Sequence, residues 1–463
     1  MQIHEVDVVV VGLGPGGEDA AGALAEAGLR VVGIESHLVG GECPYYGCVP
    51  SKMIIRAADL IAETRRANTM AGSTTVEPDY SIVAKRIRDE ATDDWNDQVA
   101  VDRLEGKGAL FVRGRGTFDG PGRVVVGDDV YVAARGVIIA TGTSPGIPDI
   151  PGLVEAMPWT NREIVKVESV PSSMIVLGGG AIGLELAQAF ARFGTKVTII
   201  EAADRILGPE EPESSELLLK VLESEGIDVF VGVGVASVAR AAGSGGLSGE
   251  ATVTLKDGGT VVAAEILVAA GRTPNVRGIG LDSIGLDEKA RPTFEVDEHM
   301  RVAGTDRLWA IGDIAGKGAF THMAVYESGI AVDDILGVES PRVGQFHAVS
   351  RVTFTDPEVG SVGMTEKQAR DAGIDVHVSV VDSAKSSRGW IHGEGNTGLM
   401  KLVADAEKGI LVGATTIGPR GGELLALFNL AVHARVPIAQ LRSMIYAYPT
   451  FYRGALDALA ELD

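Results

Sequence analysis

Short apolar runs alternate with glycine-rich turns and amphipathic segments along most of the chain, a pattern typical of α/β proteins. The first set of these elements lies at the N-terminus. Residues 7–11 (DVVVV) predict a buried parallel strand, residues 18–27 predict an alanine-rich helix, and residues 30–34 predict a second strand. This order predicts a βαβ unit.

The same order of elements recurs near the middle of the chain. A strand is predicted over residues 174–177, a helix over 184–193 and a second strand over 196–200. Two further apolar runs, at 136–140 and 266–270, also end at glycine-containing turns and predict additional strands.

Both strand–helix connections carry the pattern G-x-G-x-x-G. The glycines are Gly12, Gly14 and Gly17 in the first copy and Gly178, Gly180 and Gly183 in the second. Glycine lets the backbone approach a pyrophosphate at a helix N-terminus, and a carboxylate ending the second strand can bind an adenosine ribose. Glu35 and Glu201 hold that place, at the same interval from the first glycine. Two such sites predict a flavin and a nicotinamide.

The C-terminal part of the chain has a different pattern. Short β-branched runs, such as residues 350–355, alternate with helical segments, which predicts a separate α+β domain. The proline-rich stretch at 143–152 (TSPGIPDIPG) predicts a linker between domains.

Composition narrows the possible partners. The net charge is −22, from 41 Lys and Arg against 63 Asp and Glu, which argues against nucleic acid or anionic membranes because clustered basic side chains bind both. No stretch reaches the ~20 apolar residues of a membrane helix, and no basic region precedes the first apolar run, so we expect a cytoplasmic protein. Two cysteines cannot form a disulfide framework, and no metal site is predicted.

The two cysteines, Cys43 and Cys48, stand in the segment GGECPYYGCVPSK at 40–52. This segment resembles the active-site signature of the pyridine nucleotide–disulfide oxidoreductases, which include glutathione reductase, lipoamide dehydrogenase and mercuric reductase. LWAIGD at 308–313 resembles the family's second flavin motif, and FTDPE at 354–358 resembles the start of its interface domain. The resemblance spans nearly the whole chain.

The resemblance implies an α/β fold with two Rossmann-like dinucleotide-binding domains, for FAD and NAD, and an α+β C-terminal dimerisation domain. The predicted bounds are 1–150 and 280–345 for the FAD-binding domain, 151–279 for the NAD(P)-binding domain and 346–463 for the dimerisation domain. The resemblance further implies a homodimer whose active site is completed across the interface.

The resemblance also assigns roles to residues. Cys48 is expected to contact the flavin and Cys43 to exchange with the substrate. Cys48 opens a predicted helix, whose N-terminal dipole favours the reactive thiolate. Lys52 and Glu185 match an ion pair beside the flavin ring. Further cofactor contacts are expected at Gly116, Thr141, Gly142, Asp313, Ala319 and His322 for FAD and at Gly271 for NAD. A structural role is favoured for His322 over proton donation.

Glu201 favours NADH, because its carboxylate suits a free 2′-hydroxyl and would repel a 2′-phosphate. The sequence after it reads EAADR, without the phosphate-binding arginines of the NADPH-using relatives. Arg205 leaves some use of NADPH possible.

The C-terminus departs from the family pattern H-x-H-P-T-x-x-E. Tyr448 stands at the position of the acid–base histidine and Arg453 at that of the glutamate. A phenol has an ordinary pKa near ~10, so Tyr448 can donate a proton but is a poor base at neutral pH. Mercuric reductase has a tyrosine at this position, but the C-terminal cysteine pair of that enzyme is absent from this chain. Tyr45 and Tyr46 are expected either to form an aromatic pocket with Tyr448 or to pack against a partner subunit.

The leading function is transfer of hydride from NAD(P)H through FAD to the Cys43–Cys48 disulfide, and then to a disulfide or thiol-reactive small-molecule acceptor. The alternative is a flavin-level reductase of quinones, oxygen or metal ions, in which the cysteines are secondary. A protein that retains FAD without turnover is disfavoured by the intact Lys52 and Glu185.

Overall fold

The computed structural model describes residues 2–242, 249–287 and 293–462. The chain forms two compact units, one comprising residues 1–50, 86–146 and 272–346, the other residues 51–85, 147–271 and 347–463. The predicted three-domain division stays a prediction, and the parts of it at residues 1, 243–248, 288–292 and 463 lie outside the described residues.

The first unit is built on a seven-stranded, mostly parallel sheet. In spatial order its strands are Leu110–Arg113, Val31–Glu35, Gln2–Val11, Asp129–Ile139, Arg123–Val126 and Thr117–Phe118, with Leu308–Ala310 paired to the end of Asp129–Ile139. The valines at 8–10 are fully buried, which explains why this strand is apolar without alternation. Parallel pairing of Gln2–Val11 with Asp129–Ile139 brings the glycine loop beside Ala140 at one edge of the sheet.

Helices and a small second sheet complete this unit. The helical segments are Pro15–Glu26, Glu42–Tyr45, Ile87–Ala91, Gln98–Gly106, Leu281–Ile284, Gly312–Ala315 and Thr321–Leu336. Thr143–Pro145 pairs antiparallel with Arg272–Pro274. The expected linker at 143–152 therefore begins as a strand, because the backbone of Thr143–Pro145 finds hydrogen-bonding partners in that second segment.

The second unit contains one parallel and two antiparallel sheets. The parallel sheet has the order Asp228–Phe230, Lys196–Ile200, Ser173–Leu177 and Glu265–Val268. The three-stranded sheet consists of Val235–Arg240, Ala251–Leu255 and Thr260–Ala263. The five-stranded sheet has the order Ser350–Thr353, Glu358–Gly363, Ile410–Gly418, Leu399–Asp405 and Val376–Asp382.

The helices of this unit precede, separate and follow these strands along the chain. They are Tyr80–Arg86, Asn161–Ile164, Ala181–Arg192, Pro212–Ser224, Glu366–Asp371, Ser383–Lys385, Ser387–His392, Gly421–His433, Ile438–Arg442, Phe451–Arg453 and Gly454–Ala460. The helix Cys48–Met70 begins in the first unit and ends in the second. In the described part of the chain, none of the helices combines the length and apolar character needed to cross a membrane.

The predicted elements are found with shifted ends, and the largest shifts are at the strands predicted over 7–11 and 136–140, which begin at Gln2 and Asp129. The strand at 196–200 is confirmed as Lys196–Ile200, whereas both glycine-loop helices begin three residues earlier than predicted, at Pro15 and Ala181. Pro15 can take the first helical position because no hydrogen-bond donor is needed there. The strand expected at 350–355 ends at Thr353, before the FTDPE segment.

Candidate active site

The first glycine loop leaves an open cradle at a helix N-terminus. Gly12 has φ +93°, and a Cβ there would lie 2.5 Å from the Ala140 carbonyl oxygen. A Cβ on Gly17 would collide with the Gly12 carbonyl oxygen. Gly14, which precedes the helix Pro15–Glu26, has nothing within 4 Å of a Cβ position. The outer glycines therefore permit close packing, and the middle one faces space that a phosphate can fill.

The second loop repeats this arrangement in the second unit. Gly178 has φ +112°, and its Cβ would lie 2.5 Å from the Ala269 carbonyl oxygen. A Cβ on Gly183 would collide with the Gly178 carbonyl oxygen, while Gly180 has open space. The equivalence of the two loops, expected from their spacing, therefore extends to their three-dimensional packing.

The two glutamates bind their own loops in the same way. Glu35 accepts hydrogen bonds from the backbone N–H groups of Leu13 and His37 at 2.8 and 2.7 Å. Glu201 accepts from those of Gly179 and Ala203 at 2.6 and 2.7 Å. Each carboxylate oxygen receives one backbone donor and keeps a lone pair with which it can bind a ribose hydroxyl. The residues present thus fit two dinucleotides.

Arg205 lies four residues after Glu201, but other groups engage its guanidinium. Nη1 donates to the Leu207 carbonyl oxygen at 3.1 Å and to Ser215 Oγ at 2.8 Å. Nη2 donates to the carbonyl oxygens of Gly208 and Glu210 at 2.5 and 2.9 Å. This guanidinium stabilises a loop, and binding a 2′-phosphate would require breaking these bonds.

The cysteine pair lies in the first unit. Cys43 belongs to the short helix Glu42–Tyr45 and is half-buried, whereas Cys48 is exposed and begins the helix Cys48–Met70, as predicted. Cys48 Sγ lies 3.4 Å from Thr321 Oγ1. A Cys48 thiolate would accept a hydrogen bond from this hydroxyl and gain from the helix dipole, and both effects favour the ionised form.

A hydrogen-bonded chain of side chains surrounds Asp313 in the same unit. Thr143 Oγ1 donates to Asp313 at 2.5 Å, and Arg272 Nε donates to Thr143 Oγ1 at 2.6 Å. The Arg272 guanidinium also lies 3.4 Å from Glu42, the neighbour of Cys43 in sequence. The Thr141 hydroxyl is buried, and no described residue offers it a hydrogen bond. A polar ligand such as FAD could supply that partner.

The other predicted contacts occupy varied positions. Gly116 packs against Val11, whereas Gly142 and Gly271 adopt positive φ and leave open space at their Cβ positions. Ala319 and His322 are exposed, and the His322 ring stacks on Phe320 with 5.2 Å between ring centroids.

Lys52 and Glu185, both in the second unit, form the expected ion pair at 2.8 Å. Glu185 is 4% exposed, so a charged partner is needed to offset its desolvation. Phe354 contacts both groups: its N–H donates to Glu185 at 2.8 Å, and its ring centroid lies 4.7 Å from Lys52 Nζ.

Tyr448 is 72% exposed on a segment fixed by its neighbours. Thr450 Oγ1 donates to the Ala447 carbonyl oxygen at 2.7 Å, and the Ala447 N–H donates to the Tyr452 hydroxyl at 2.6 Å. Arg453 pairs with Asp457 at 3.1 Å. The Tyr448 ring is therefore available to a second molecule.

Neither expectation for Tyr45 and Tyr46 describes their positions. Both rings are buried, at 6% and 4% exposure. Tyr46 stacks on His37 with its hydroxyl 3.3 Å from the imidazole Nε2, and the Tyr45 carbonyl accepts from the Trp95 indole at 3.0 Å. They pack inside the first unit because apolar ring surface is stabilised by burial there.

Sequence reasoning missed three residues at these positions. Thr321 lies between Ala319 and His322, two of the expected FAD contacts, and Phe354 opens the FTDPE motif, but neither carries a local signal for its contact. Glu327 is fully buried and accepts the Gly312 N–H at 2.6 Å, and its burial raises the pKa of the carboxyl to about 8. A glutamate within an apolar helical pattern was the available signal.

Known proteins resemble this chain over nearly its whole length. The model of the pyridine nucleotide-disulphide oxidoreductase family matches residues 6–328, and that of its dimerisation domain matches residues 349–458. A dihydrolipoyl dehydrogenase of Chlorobaculum tepidum is 35% identical over 470 residues, covering 99% of this chain and 98% of that protein. A mercuric reductase of Bacillus cereus is 30% identical over 463 residues, covering 99% of this chain and 72% of that protein.

Solved structures confirm the predicted fold class. LpdA from Mycobacterium tuberculosis superposes with a TM-score of 0.84 at 25% identity, covering 100% of both chains. The HOCl-induced flavoprotein disulfide reductase RclA from Escherichia coli has a TM-score of 0.84 at 24% identity, covering 99% of this chain and 100% of that one. The second likeness shows the fold alone.

Proposed function

The chain belongs to the pyridine nucleotide-disulphide oxidoreductases, NAD(P)H-dependent flavoproteins that use FAD, and from this premise we propose that it reduces a disulfide or thiol-reactive acceptor through Cys43 and Cys48. The observation that carries the proposal is the position of Cys48, at a helix N-terminus and within 3.4 Å of the Thr321 hydroxyl. The same unit holds the first dinucleotide loop. When bound, FAD would accept a hydride from NAD(P)H and pass its two electrons to the Cys43–Cys48 disulfide.

The reduced cysteines would act in two balanced steps. The Cys43 thiolate attacks a sulfur of the acceptor disulfide, forming a mixed disulfide and releasing one acceptor thiolate. The Cys48 thiolate then attacks Cys43 Sγ, which restores the Cys43–Cys48 disulfide and releases the second acceptor thiolate. The acceptor gains two electrons, and protons must reach both leaving sulfurs.

Anaerobic titration with NADH tests the coupling of the cysteines to the flavin. Wild-type protein is expected to take up twice as many electrons as its FAD alone can hold, and Cys48→Ser half as many as wild type. Absorbance during the titration measures both values. Equal uptake by the two proteins would favour the flavin-level reductase instead.

The exposed apolar side chains of the C-terminal region support a homodimer. Ile445 is 98% exposed, Tyr448 72% and Leu430 63%. Contiguous exposed apolar surface marks interaction sites, and Ile445 and Tyr448 lie three positions apart on one segment. Because the dimerisation-domain model covers this region, we propose that a second copy covers them and that Tyr448 of the partner subunit completes the site at Cys43.

We further propose that NADH is the preferred hydride donor. Glu201→Ala is expected to lower the ratio of kcat/KM for NADH to kcat/KM for NADPH. Removing the carboxylate removes its repulsion of a 2′-phosphate, and a tenfold change corresponds to about 1.4 kcal/mol. Steady-state rates with both donors provide the measurement.

The chain offers a matched control in Glu35→Ala, which removes the equivalent carboxylate of the first loop. This change is expected to lower FAD content without altering the preference between NADH and NADPH. A wild-type protein that prefers NADPH would contradict the role assigned to Glu201.

A further inference from the structure

One face of the helix Ala181–Arg192 binds the segment 354–356. Gln188 Oε1 accepts the Asp356 N–H, and Gln188 Nε2 donates to the Asp356 carbonyl oxygen, both at 2.8 Å. Arg192 donates to the Asp356 carboxylate at 2.8 Å. Glu185, Gln188 and Arg192 are three and four residues apart and therefore share a face. All three are buried, so this backbone segment is held in a fixed place.

The fixed segment in turn orients the Glu185 carboxylate. Oε1 of Glu185 accepts the Phe354 N–H at 2.8 Å, while Oε2 accepts from Lys52 Nζ at 2.8 Å. With one oxygen assigned to each donor, the carboxylate cannot rotate without losing a buried hydrogen bond. The direction in which Glu185 meets Lys52 thus depends on the position of the Phe354 backbone.

The side chain of Phe354 contacts the other member of the pair. Its ring centroid lies 4.7 Å from Lys52 Nζ, within the range of a cation–π interaction. The Lys52 side chain is 35% exposed, so Glu185 alone does not enclose the ammonium. Phe354 therefore contacts both members of the ion pair, the Glu185 carboxylate through its backbone N–H and the Lys52 ammonium through its ring.

We propose that Phe354 is a positioning residue that fixes the Lys52 ammonium and, through it, sets the reduction potential of bound FAD. This inference rests on the proposed function, to which it adds the expectation, implied by the family resemblance, that Lys52 lies beside the flavin ring and that its positive charge favours the electron-rich reduced form. Without the aromatic ring, the ammonium gains mobility and hydration, and water screens its field.

The test measures the reduction potential of FAD in the purified holoenzyme against a reference dye. Phe354→Leu retains the backbone N–H and much of the apolar volume but removes the ring. It is expected to lower the equilibrium constant for two-electron reduction by up to about two- to fivefold, because the whole energy of a partly exposed cation–π contact is the most that its loss can change this equilibrium. This corresponds to a potential about 10 to 20 mV more negative. Phe354→Tyr keeps the ring and is expected to restore the wild-type potential.

Two controls separate this effect from a general loss of packing. Phe111→Leu removes a ring at the same distance, 4.7 Å, from the guanidinium of Arg113, and is expected to leave the potential unchanged. In a Lys52→Met background, Phe354→Leu should cause no further shift, because Phe354 acts through the ammonium. Fluorinated phenylalanines at position 354, which weaken the ring's negative face while keeping its shape, should lower the potential stepwise.

The outcomes distinguish the inference from its premise. If Lys52→Met shifts the potential but Phe354→Leu and the fluorinated residues do not, the role of Phe354 is overturned and the proposed function stands. If Lys52→Met also leaves the potential unchanged, Lys52 does not act on the flavin and the premise is overturned too. Lower FAD content in Phe354→Leu with a wild-type potential in the remaining holoenzyme would show a structural role only, and would also overturn the inference.

Discussion

Replacing Cys43 with serine is expected to lower kcat/KM for disulfide or thiol-reactive acceptors by on the order of 1000-fold or more, as for loss of an essential nucleophile. Serine keeps the size of the side chain, but its hydroxyl neither attacks sulfur nor forms a mixed disulfide. Cys43 is half-buried, so the substitution should leave the fold intact. Rapid mixing with NADH should show bleaching of bound FAD at nearly the wild-type rate.

Cys48→Ser is the matched comparison for this variant. It should lose acceptor reduction to a similar extent, and it should also lose the long-wavelength absorption band expected when wild-type protein is reduced by two electrons. That band requires a thiolate beside oxidised flavin, a position assigned to Cys48 and not to Cys43. Wild-type rates of acceptor reduction in both variants would refute the disulfide mechanism. Full activity with quinones in both variants would favour the flavin-level alternative.

Tyr448→Phe is expected to slow transfer to the natural acceptor by about 10- to 1000-fold, within or below the usual range for a positioned proton donor. Each acceptor sulfur leaves more readily when it is protonated as its S–S bond breaks. The phenol of Tyr448 is the proposed proton donor. Tyr448 is 72% exposed. Position 453 is an arginine, which pairs with Asp457, so no carboxylate at that position orients the phenol. Activity with ordinary dithiols should therefore be low in wild type, and Tyr448→His alone should restore little of it.

Stopped-flow measurement of the two half-reactions separates proton donation from packing. Reduction of bound FAD by NADH should be nearly unchanged in Tyr448→Phe, with the loss confined to the acceptor half-reaction. Tyr452→Phe is the control, because it removes a hydroxyl that accepts the Ala447 N–H and so perturbs the same segment. If Tyr452→Phe causes an equal loss, segment structure explains the effect. If Tyr448→Phe has wild-type rates in both half-reactions, the tyrosine only packs.

The sequence by itself determined the two dinucleotide loops. Their strands, glycines and terminal glutamates follow one another within a few dozen residues, and each signal depends on local backbone geometry. A positive φ at Gly12 and Gly178, and the absence of room for a Cβ at Gly17 and Gly183, are requirements of the loop itself. The same local reasoning placed the helix start at Cys48, within the cysteine motif.

Only the tertiary structure decided which side chains meet across long stretches of chain. Phe354 is 302 positions from Lys52 and 169 from Glu185, and no periodicity connects them. Arg205, read from sequence as a possible phosphate contact, is instead hydrogen-bonded to its own loop and to Ser215. Tyr45 and Tyr46 were expected at a pocket or an interface but are buried in the first unit. Sequence spacing reports the backbone path, whereas the partner of a side chain depends on which distant segments supply hydrogen-bonding groups and apolar surface around it.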